Sequence, residues 1–180
     1  QITARQIQTG EVSMLAGGVR IQGADLQEIA KIRTWQELLF PLHGKVEREY
    51  TAEAAAQTVW NTEIMELLQS LHEEKGAFLF RIEYKGSLDE RKKSEFVKKT
   101  ASLLEEKSER MLINSISDYE IEIRIVESKK GGYLPFLRLY TMEDERFVYR
   151  KESIAASIAP VNAALIMQIA GDHLKENAQV

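Results

Sequence analysis

The sequence predicts an α+β chain, because two kinds of hydrophobic spacing follow one another along it. Apolar residues alternate with polar ones in FLFRIEY, 78–84, which predicts a strand with one apolar face. In FVKKTASLL, 96–104, apolar residues recur at helical spacing, which predicts an amphipathic helix. Two clusters of such strands and helices, followed by a further helix, give the α+β class.

The first cluster is predicted as two strands and a helix. GEVSMLAGGVRIQG, 10–23, predicts two short strands around a turn at Gly17 and Gly18, since paired glycines supply the positive φ of a tight turn. Asp25 is predicted as the N-cap of a helix through LQEIAKIRTWQELLF, which Pro41 ends.

The second cluster begins with helical sequence from Thr51 and ends that helical region at Gly76 as a C-cap. A charged helix with Ser87 as its cap is predicted to pack across the strands through Phe96 and Leu104. We predict its bounds as 88–108 and the strands as 77–85, 119–127 and 134–141. The large aromatic residues predicted to lie in the core are Trp35, Trp60, Phe78 and Phe80.

Composition limits the classes of function. With no cysteine, the chain has no disulfide, thiol catalysis or cysteine metal site, and its 3 histidines are scattered, so no metal is predicted. No apolar run reaches the length of a membrane span and residues 1–10 do not resemble a signal peptide, so a cytoplasmic protein with no membrane partner is expected.

Charge is distributed unevenly along the chain. The net charge is −4, yet residues 81–151 carry 16 Lys and Arg against 14 Asp and Glu. The middle of the chain is therefore net positive within an acidic protein, which fits either a local basic face or two well-solvated surfaces of mixed charge.

Catalytic motifs are missing from the sequence. It contains no GxSxG elbow, no Walker loop and no HExxH pair, and AGGVRIQG does not have the GxGxxG spacing. No catalytic residue is predicted, and we expect no chemistry to be completed within these residues.

Three segments in order resemble the THUMP-containing RNA methyltransferases. GGVRIQGADLQEIAKIRTWQELLFPL is similar to their stretch of GGV, a strand, a helix with an acidic cap, an arginine or tryptophan, and leucine-proline-leucine. LINSISDYEIEIRI resembles their segment of an asparagine, three residues, an aspartate and a strand, with Asn114 and Asp118 in place. FVYRKESIAASIAPVNAALIMQIA, with Tyr149 and Arg150, resembles the segment that leads into the S-adenosylmethionine-binding motif.

The resemblance implies three domains. They are an incomplete ferredoxin-like N-terminal domain at 1–49, a THUMP RNA-binding domain at 50–150, and at 151–180 a linker with the first helix of a truncated Rossmann-like methyltransferase domain. That helix, apolar nearly all round, begins at Pro160 and is expected to cover a sheet that this chain lacks.

The implied function is RNA binding on behalf of an enzyme. The chain is expected to position structured rRNA or tRNA for base methylation by its own methyltransferase domain, as in bacterial rRNA guanine-N2 methyltransferases, and to be no enzyme alone. S-adenosylmethionine is the implied cofactor of the parent protein, and none is expected to bind this chain alone. The residues implied to border the cofactor's methionine end are Ser157, Pro160 and Asn162.

Cations spaced along one helix and a neighbouring hairpin suit recognition of an RNA backbone, because an A-form helix is held mainly through phosphates and 2′-hydroxyls. Asn114 is added to the predicted RNA-binding residues because of the resemblance to the family. The predicted RNA-binding residues are Lys85, Arg91, Lys92, Lys98, Lys99, Arg110, Asn114, Lys129 and Lys130.

Two other functions are compatible with the sequence. One is a ferredoxin-like protein-interaction module with no enzymatic role, in which the apolar helix from Pro160 docks a partner chain. The other is a small acylphosphatase-like enzyme, which would need an arginine in a glycine-rich, phosphate-binding loop. No such loop is evident in the sequence.

Overall fold

The computed structural model of the protein describes residues 2–15, 18–42, 51–71, 76–128, 132–141, 145–148, 151–152, 157–171 and 173. The chain divides into two compact units. The first consists of Gln1–Leu38 with Glu143–Val180, and the second of Leu39–Met142. The domain bounds at 1–49, 50–150 and 151–180 stay predictions.

The first unit contains the predicted hairpin. Strands β1 (Glu11–Leu15) and β2 (Gly18–Gln22) pair antiparallel, so that Val12 lies opposite Ile21 and Met14 opposite Val19. These four side chains share one face of the ribbon, since alternate residues point the same way. The prediction of two strands is confirmed, and the turn residues 16–17 lie outside the described residues. A short helix, α1 (Ile2–Gln6), precedes the hairpin.

Helix α2 (Leu26–Lys31) begins at the predicted N-cap, where the Asp25 carboxylate accepts a hydrogen bond from the Gln27 amide. The predicted extent to Pro41 is wrong, because the helix ends at Lys31. Trp35 Nε1 donates to the Ile29 carbonyl at 2.8 Å, and Arg146 donates to the Ile32 and Trp35 carbonyls at 3.3 and 2.8 Å. In a longer helix, these carbonyls would accept hydrogen bonds from backbone N–H groups, but here side chains of Trp35 and Arg146 donate to them. The sequence near α2 does not predict the contact with the distant Arg146.

Helix α6 (Pro160–Gly171) begins at Pro160, as predicted. None of its described residues is buried, and Ile166, Met167 and Ile169 are exposed. The same unit contains a 3₁₀ turn at Glu145–Phe147, where Arg146 is buried with its guanidinium carbon 3.3 Å from the centre of the Trp35 ring. Trp35, predicted as core, is half-buried and packs through this contact.

The second unit is built on a mixed five-stranded sheet. Its strand order is β3-β7-β6-β4-β5, in which β4 runs parallel to β5 and β6, while β7 runs antiparallel to β6 and β3. The strands are β3 (Phe40–Pro41), β4 (Phe78–Lys85), β5 (Leu112–Asn114), β6 (Ile121–Glu127) and β7 (Tyr133–Leu139). Strands predicted at 77–85, 119–127 and 134–141 are confirmed to within two residues, and neither β3 nor β5 was predicted.

Three helices cover one face of this sheet: α3 (Ala52–Val59), α4 (Thr62–Leu71) and α5 (Glu90–Lys107). The core between the layers joins the alternate residues of β4 to those of β6 and to apolar residues of all three helices. Phe78 and Phe80 are buried there as predicted, and Trp60 packs against the cluster half-buried. Further members are Ala55, Val59, Ile64, Leu68, Ala101, Leu104, Ile121, Ile123, Ile125 and Leu137.

Helix α5 is capped by Asp89, whose carboxylate accepts a hydrogen bond from the Lys92 amide at 2.9 Å, so the predicted cap at Ser87 is wrong. The Ser87 amide and hydroxyl instead donate to Glu127 at 2.6 and 2.8 Å. The packing of α5 through Leu104 is confirmed, and Phe96 lies half-buried with its ring 5.6 Å from that of Tyr84. The predicted C-cap, Gly76, follows residues 72–75, which lie outside the described residues.

Leu104→Ala tests the contact between α5 and the sheet. Leu104 is fully buried, so the substitution should lower the free energy of unfolding by about 2–5 kcal/mol in denaturant titrations. Ser102→Ala, at an exposed position of the same helix, should change it by less than about 0.5 kcal/mol. Equal effects of the two substitutions would contradict this packing.

Candidate nucleic-acid interface

Helix α5 presents the predicted cations on more than one of its faces. Arg91, Lys92, Lys98 and Lys99 are all exposed. Arg91 and Lys98 lie seven residues apart, which is nearly two full turns, so they share one face. Lys99 points toward α3, where its Nζ lies 2.6 Å from Glu53 Oε1. Arg91 and Lys98 therefore lie on the outer face of α5, whereas Lys99 lies on the side that meets α3.

The ion pairs of these side chains differ. The hydrogen bond that Lys99 donates to Glu53 raises the pKa of Lys99 and lowers the pKa of Glu53. Lys92 Nζ lies 3.5 Å from Asp89 Oδ2, in an exposed pair. Among the described residues, neither Arg91 nor Lys98 forms an ion pair. These two cations are the ones most available to an anionic ligand.

Lys85 lies at the same end of the sheet as the start of α5. It ends β4, is exposed, and its Nζ lies 3.5 Å from Glu83 Oε1. Glu127 ties the loop between the two elements, since its carboxylate accepts hydrogen bonds from Ser87 and from the Tyr84 hydroxyl. Lys129 and Lys130, predicted on the neighbouring hairpin, lie outside the described residues.

Arg110 and Asn114 lie at the opposite end of α5. The helix spans 18 residues, or about 27 Å, so they are far from Arg91 along its axis. Arg110 is exposed and has a positive φ of 65°, in the turn that leads into β5. The exposed Asn114 ends β5, and its backbone N–H donates to Glu105 Oε1 at 2.7 Å. The predicted RNA-binding residues thus form one group along α5 and another at its end.

The residues implied to border a cofactor lie at the start of α6. Ser157 and Pro160 are half-buried, and Asn162 is exposed in the first turn. None of the three lines the open cavity of about 470 Å³ beside α6, which contacts Ile32, Ala163 and Met167 instead. One helix start with one amide side chain cannot enclose a nucleoside, so the three residues do not fit S-adenosylmethionine by themselves.

A second polar cluster lies on the sheet face opposite the helices, and the sequence did not indicate it. Strand register places Arg81 opposite Glu122, and Glu83 opposite Arg124. Glu122, with none of its surface exposed, accepts hydrogen bonds from Arg81 Nε at 2.9 Å, Arg124 Nε at 2.8 Å and the Tyr140 hydroxyl at 3.1 Å. We call Arg81, Tyr119, Glu122, Arg124, Arg138 and Tyr140 the tyrosine–arginine cluster.

Burial alone would raise the pKa of Glu122, but the hydrogen bonds from Arg81 and Arg124 outweigh it and hold this pKa below its usual value. Glu122 is therefore ionised and compensated by two guanidinium groups. The alternation of charge in FLFRIEY and YEIEIRI was the available signal, but the sequence does not reveal that both strands turn these charges toward each other.

None of the helices in the described parts of the chain is long and apolar enough to cross a membrane. Within the same ranges, no group of three or more acidic, histidine or cysteine side chains is arranged to hold a metal ion.

Glu122→Gln tests the cluster's role in stability. Removing the charge of Glu122 takes away the carboxylate nearest to the buried Arg124, so the free energy of unfolding should fall by about 3 kcal/mol at pH 7. Because the folded-state pKa of Glu122 is lowered, its contribution is present above the ordinary value of 4.5 and is lost as the pH falls through the folded value. In an acid titration, the variant should therefore lose less stability than the wild type, because glutamine has no carboxylate to protonate.

Glu90→Gln is the matched control for that substitution, because Glu90 is exposed in the first turn of α5. Its effect on the free energy of unfolding should stay below about 0.5 kcal/mol. An acid titration of Glu122→Gln that matches the wild type would show that this carboxylate is not held ionised by its neighbours.

No family model matches the sequence, and no curated protein matches it. Among solved structures, the chain is similar to a crystal structure of PH1313 from Pyrococcus horikoshii Ot3, with 13% sequence identity and a TM-score of 0.43. The match covers 76% of this chain and 48% of that one, so the chain spans about half the length of PH1313.

Proposed function

We propose that the chain is the THUMP-like, RNA-binding part of an S-adenosylmethionine-dependent RNA methyltransferase. Its second unit holds structured RNA, rRNA or tRNA, for methylation of a base by a catalytic domain of the parent protein. The observation that carries the proposal is the outer face of α5, where Arg91 and Lys98 stand exposed without an ion pair among the described residues. The three sequence segments that resemble the family support the same reading.

The rigidity of α5 suits the recognition of a duplex. Thr100, Ala101 and Leu104 are buried on its inner side, so its outer cations are held at fixed spacing. Arg91 and Lys98 lie about 10 Å apart along the helix axis. Phosphates and 2′-hydroxyls are the accessible groups of an A-form helix, and cations at fixed spacing can bind them without reading the sequence. Lys92 and Lys99 can join when phosphates replace Asp89 and Glu53 as their partners.

The finer parts of the proposal rest on the sequence resemblance. They are guanine-N2 as the methylated position and the domain bounds at 50–150 for the RNA-binding part. S-adenosylmethionine is the proposed methyl donor of the parent protein. Ser157, Pro160 and Asn162 are proposed to border its methionine end once the catalytic domain supplies the remaining walls. This chain binds and orients RNA and carries out no step of the transfer itself.

A protein-interaction module is the second candidate. Helix α6 favours it, because Ile166, Met167 and Ile169 are exposed and none of the helix's described residues is buried. An exposed apolar helix is typical of an interface. Binding of a protein that is insensitive to salt, with no binding of RNA, would support this candidate over the first.

Replacing Arg91 and Lys98 together by alanine tests the proposed RNA face. Affinity for a structured RNA should fall, and the slope of log K against log salt should decrease in magnitude by roughly 2, since each lost phosphate contact removes about 0.9. Fluorescence anisotropy across a salt series measures both. Arg20→Ala with Lys31→Ala removes the same charge from exposed positions of the first unit and should leave the slope nearly unchanged. An equal loss of slope in both double variants would remove α5 from the interface.

Calorimetry with S-adenosylmethionine tests the cofactor assignment. Residues 1–180 should give no measurable binding, because Ser157, Pro160 and Asn162 supply only one side of a pocket. Micromolar affinity that Asn162→Ala weakens would show that the cofactor site is complete within this chain.

A further inference from the structure

We propose that the tyrosine–arginine cluster is a second RNA contact, which holds an unpaired base by stacking. The proposal rests on the proposed function, because it takes RNA as the ligand. It adds that the bound RNA is partly single-stranded where it reaches the sheet face opposite the helices.

The cluster is a stack of aromatic rings and guanidinium planes. The guanidinium carbon of Arg81 lies 4.0 Å from the centre of the Tyr119 ring, and that of Arg138 lies 4.6 Å from the centre of the Tyr140 ring. The two tyrosine rings meet edge to face, with centroids 4.9 Å apart. Aromatic rings and arginine planes are the surfaces on which proteins stack unpaired bases.

The stack is held in place before any ligand binds. Glu122 accepts hydrogen bonds from Arg81, Arg124 and Tyr140 at the same time. These bonds fix the guanidinium plane of Arg81 and the ring of Tyr140. The loop that carries Tyr119 is tied to β4 at both ends, because the Ser115 amide donates to the Phe80 carbonyl and the Glu120 amide to the Leu79 carbonyl, each at 2.8 Å. A site with fixed side chains loses little conformational entropy on binding.

The cluster is also partly exposed to solvent. Tyr140 is 38% exposed and the Arg81 side chain 34% exposed. Burial of Glu122 and Arg124 is accounted for by their ion pair. That ion pair does not account for the exposure of the two tyrosine rings beside Arg81 and Arg138, whereas an unpaired base stacked there does.

The position of the cluster connects it to α5. Tyr140 follows β7 at the end of the sheet where Leu139 pairs with Ile121, and Ile121 pairs with Phe80. Asn114 pairs with Phe80 from the other side of β4. Arg110 and Asn114 therefore lie at the same end of the sheet as the cluster, and they mark a path from the outer face of α5 to it. Bases in a duplex are already stacked, so only an unpaired nucleotide can use this site.

Tyr140→Leu tests the proposal with two RNAs, a blunt duplex and a single strand of about eight nucleotides, within the range of known single-strand site sizes. Fluorescence anisotropy should show the single strand bound about five- to a hundredfold more weakly by the variant, the effect of losing one base–aromatic stack. Duplex affinity should stay within about twofold of wild type, because duplex bases cannot reach the ring. Tyr140→Phe keeps the ring and should retain single-strand binding.

The matched control is Arg91→Ala with Lys98→Ala, which should weaken duplex binding most. If the wild type binds the duplex while Tyr140→Leu leaves single-strand affinity unchanged, the stacking site is overturned and the proposed function stands. If the wild type binds neither RNA, both are overturned. Should Tyr140→Leu lower the unfolding midpoint so far that the native state is lost, Tyr119→Leu in the β5–β6 loop carries the same test, with the same outcomes deciding it.

Discussion

Burial of one face of the five-stranded sheet against α3, α4 and α5 is the constraint on which the second unit depends. Strand β4 contributes Phe78, Phe80 and Tyr84 to that face, and β6 lies beside it with Ile121 and Ile123 in register. Because side chains in a strand alternate, this burial decides where every other residue of the two strands points. A shift of one residue would place Arg81 and Glu122 in the apolar core, at a cost of several kcal/mol for each unpaired charge.

The same constraint creates both candidate RNA surfaces. With Leu104 fixed against the sheet, helical geometry turns Arg91 and Lys98 outward. With the apolar face of β4 fixed against the helices, Arg81 is turned to the other side, where it meets Glu122. One hydrophobic core thus orients two cations that form no ion pair with the described residues on one side of the unit, and a compensated, ordered cluster on the other. The first suits backbone phosphates and the second suits a flat base.

The sequence was sufficient where structure follows from local pattern. The N-cap of α2 at Asp25, the start of α6 at Pro160 and the three long strands all depend on residues within a few positions of one another. It was insufficient where a distant residue decides the outcome. Arg146 lies more than 100 residues from the Ile32 and Trp35 carbonyls that it binds, and Glu127 lies 40 residues from the Ser87 hydroxyl that it holds.

The candidate site also combines features that the local sequence predicts with features that depend on distant residues. The exposed cations of α5 could be found from the sequence, because charge on the outer face of a helix is a local pattern. Which of them keep an ion pair could not, since the partner of Lys99 is Glu53 on another helix. The tyrosine–arginine cluster requires the register of three strands and one loop, and none of these is encoded near Arg81 in the chain.

The two surfaces would contribute different kinds of binding energy. Under the proposed function, phosphate contacts along α5 would supply an affinity that falls with salt and does not depend on base sequence. Stacking of a base on the cluster would add about 1–3 kcal/mol and would be less sensitive to salt, because it depends on the contact of flat apolar surfaces. A duplex with no unpaired nucleotide would gain the first term alone, whereas RNA with an unpaired segment at the Arg110 and Asn114 end would gain both. Selection among structured RNAs would then depend on where a helix ends, a property of RNA shape that needs no contact with base edges.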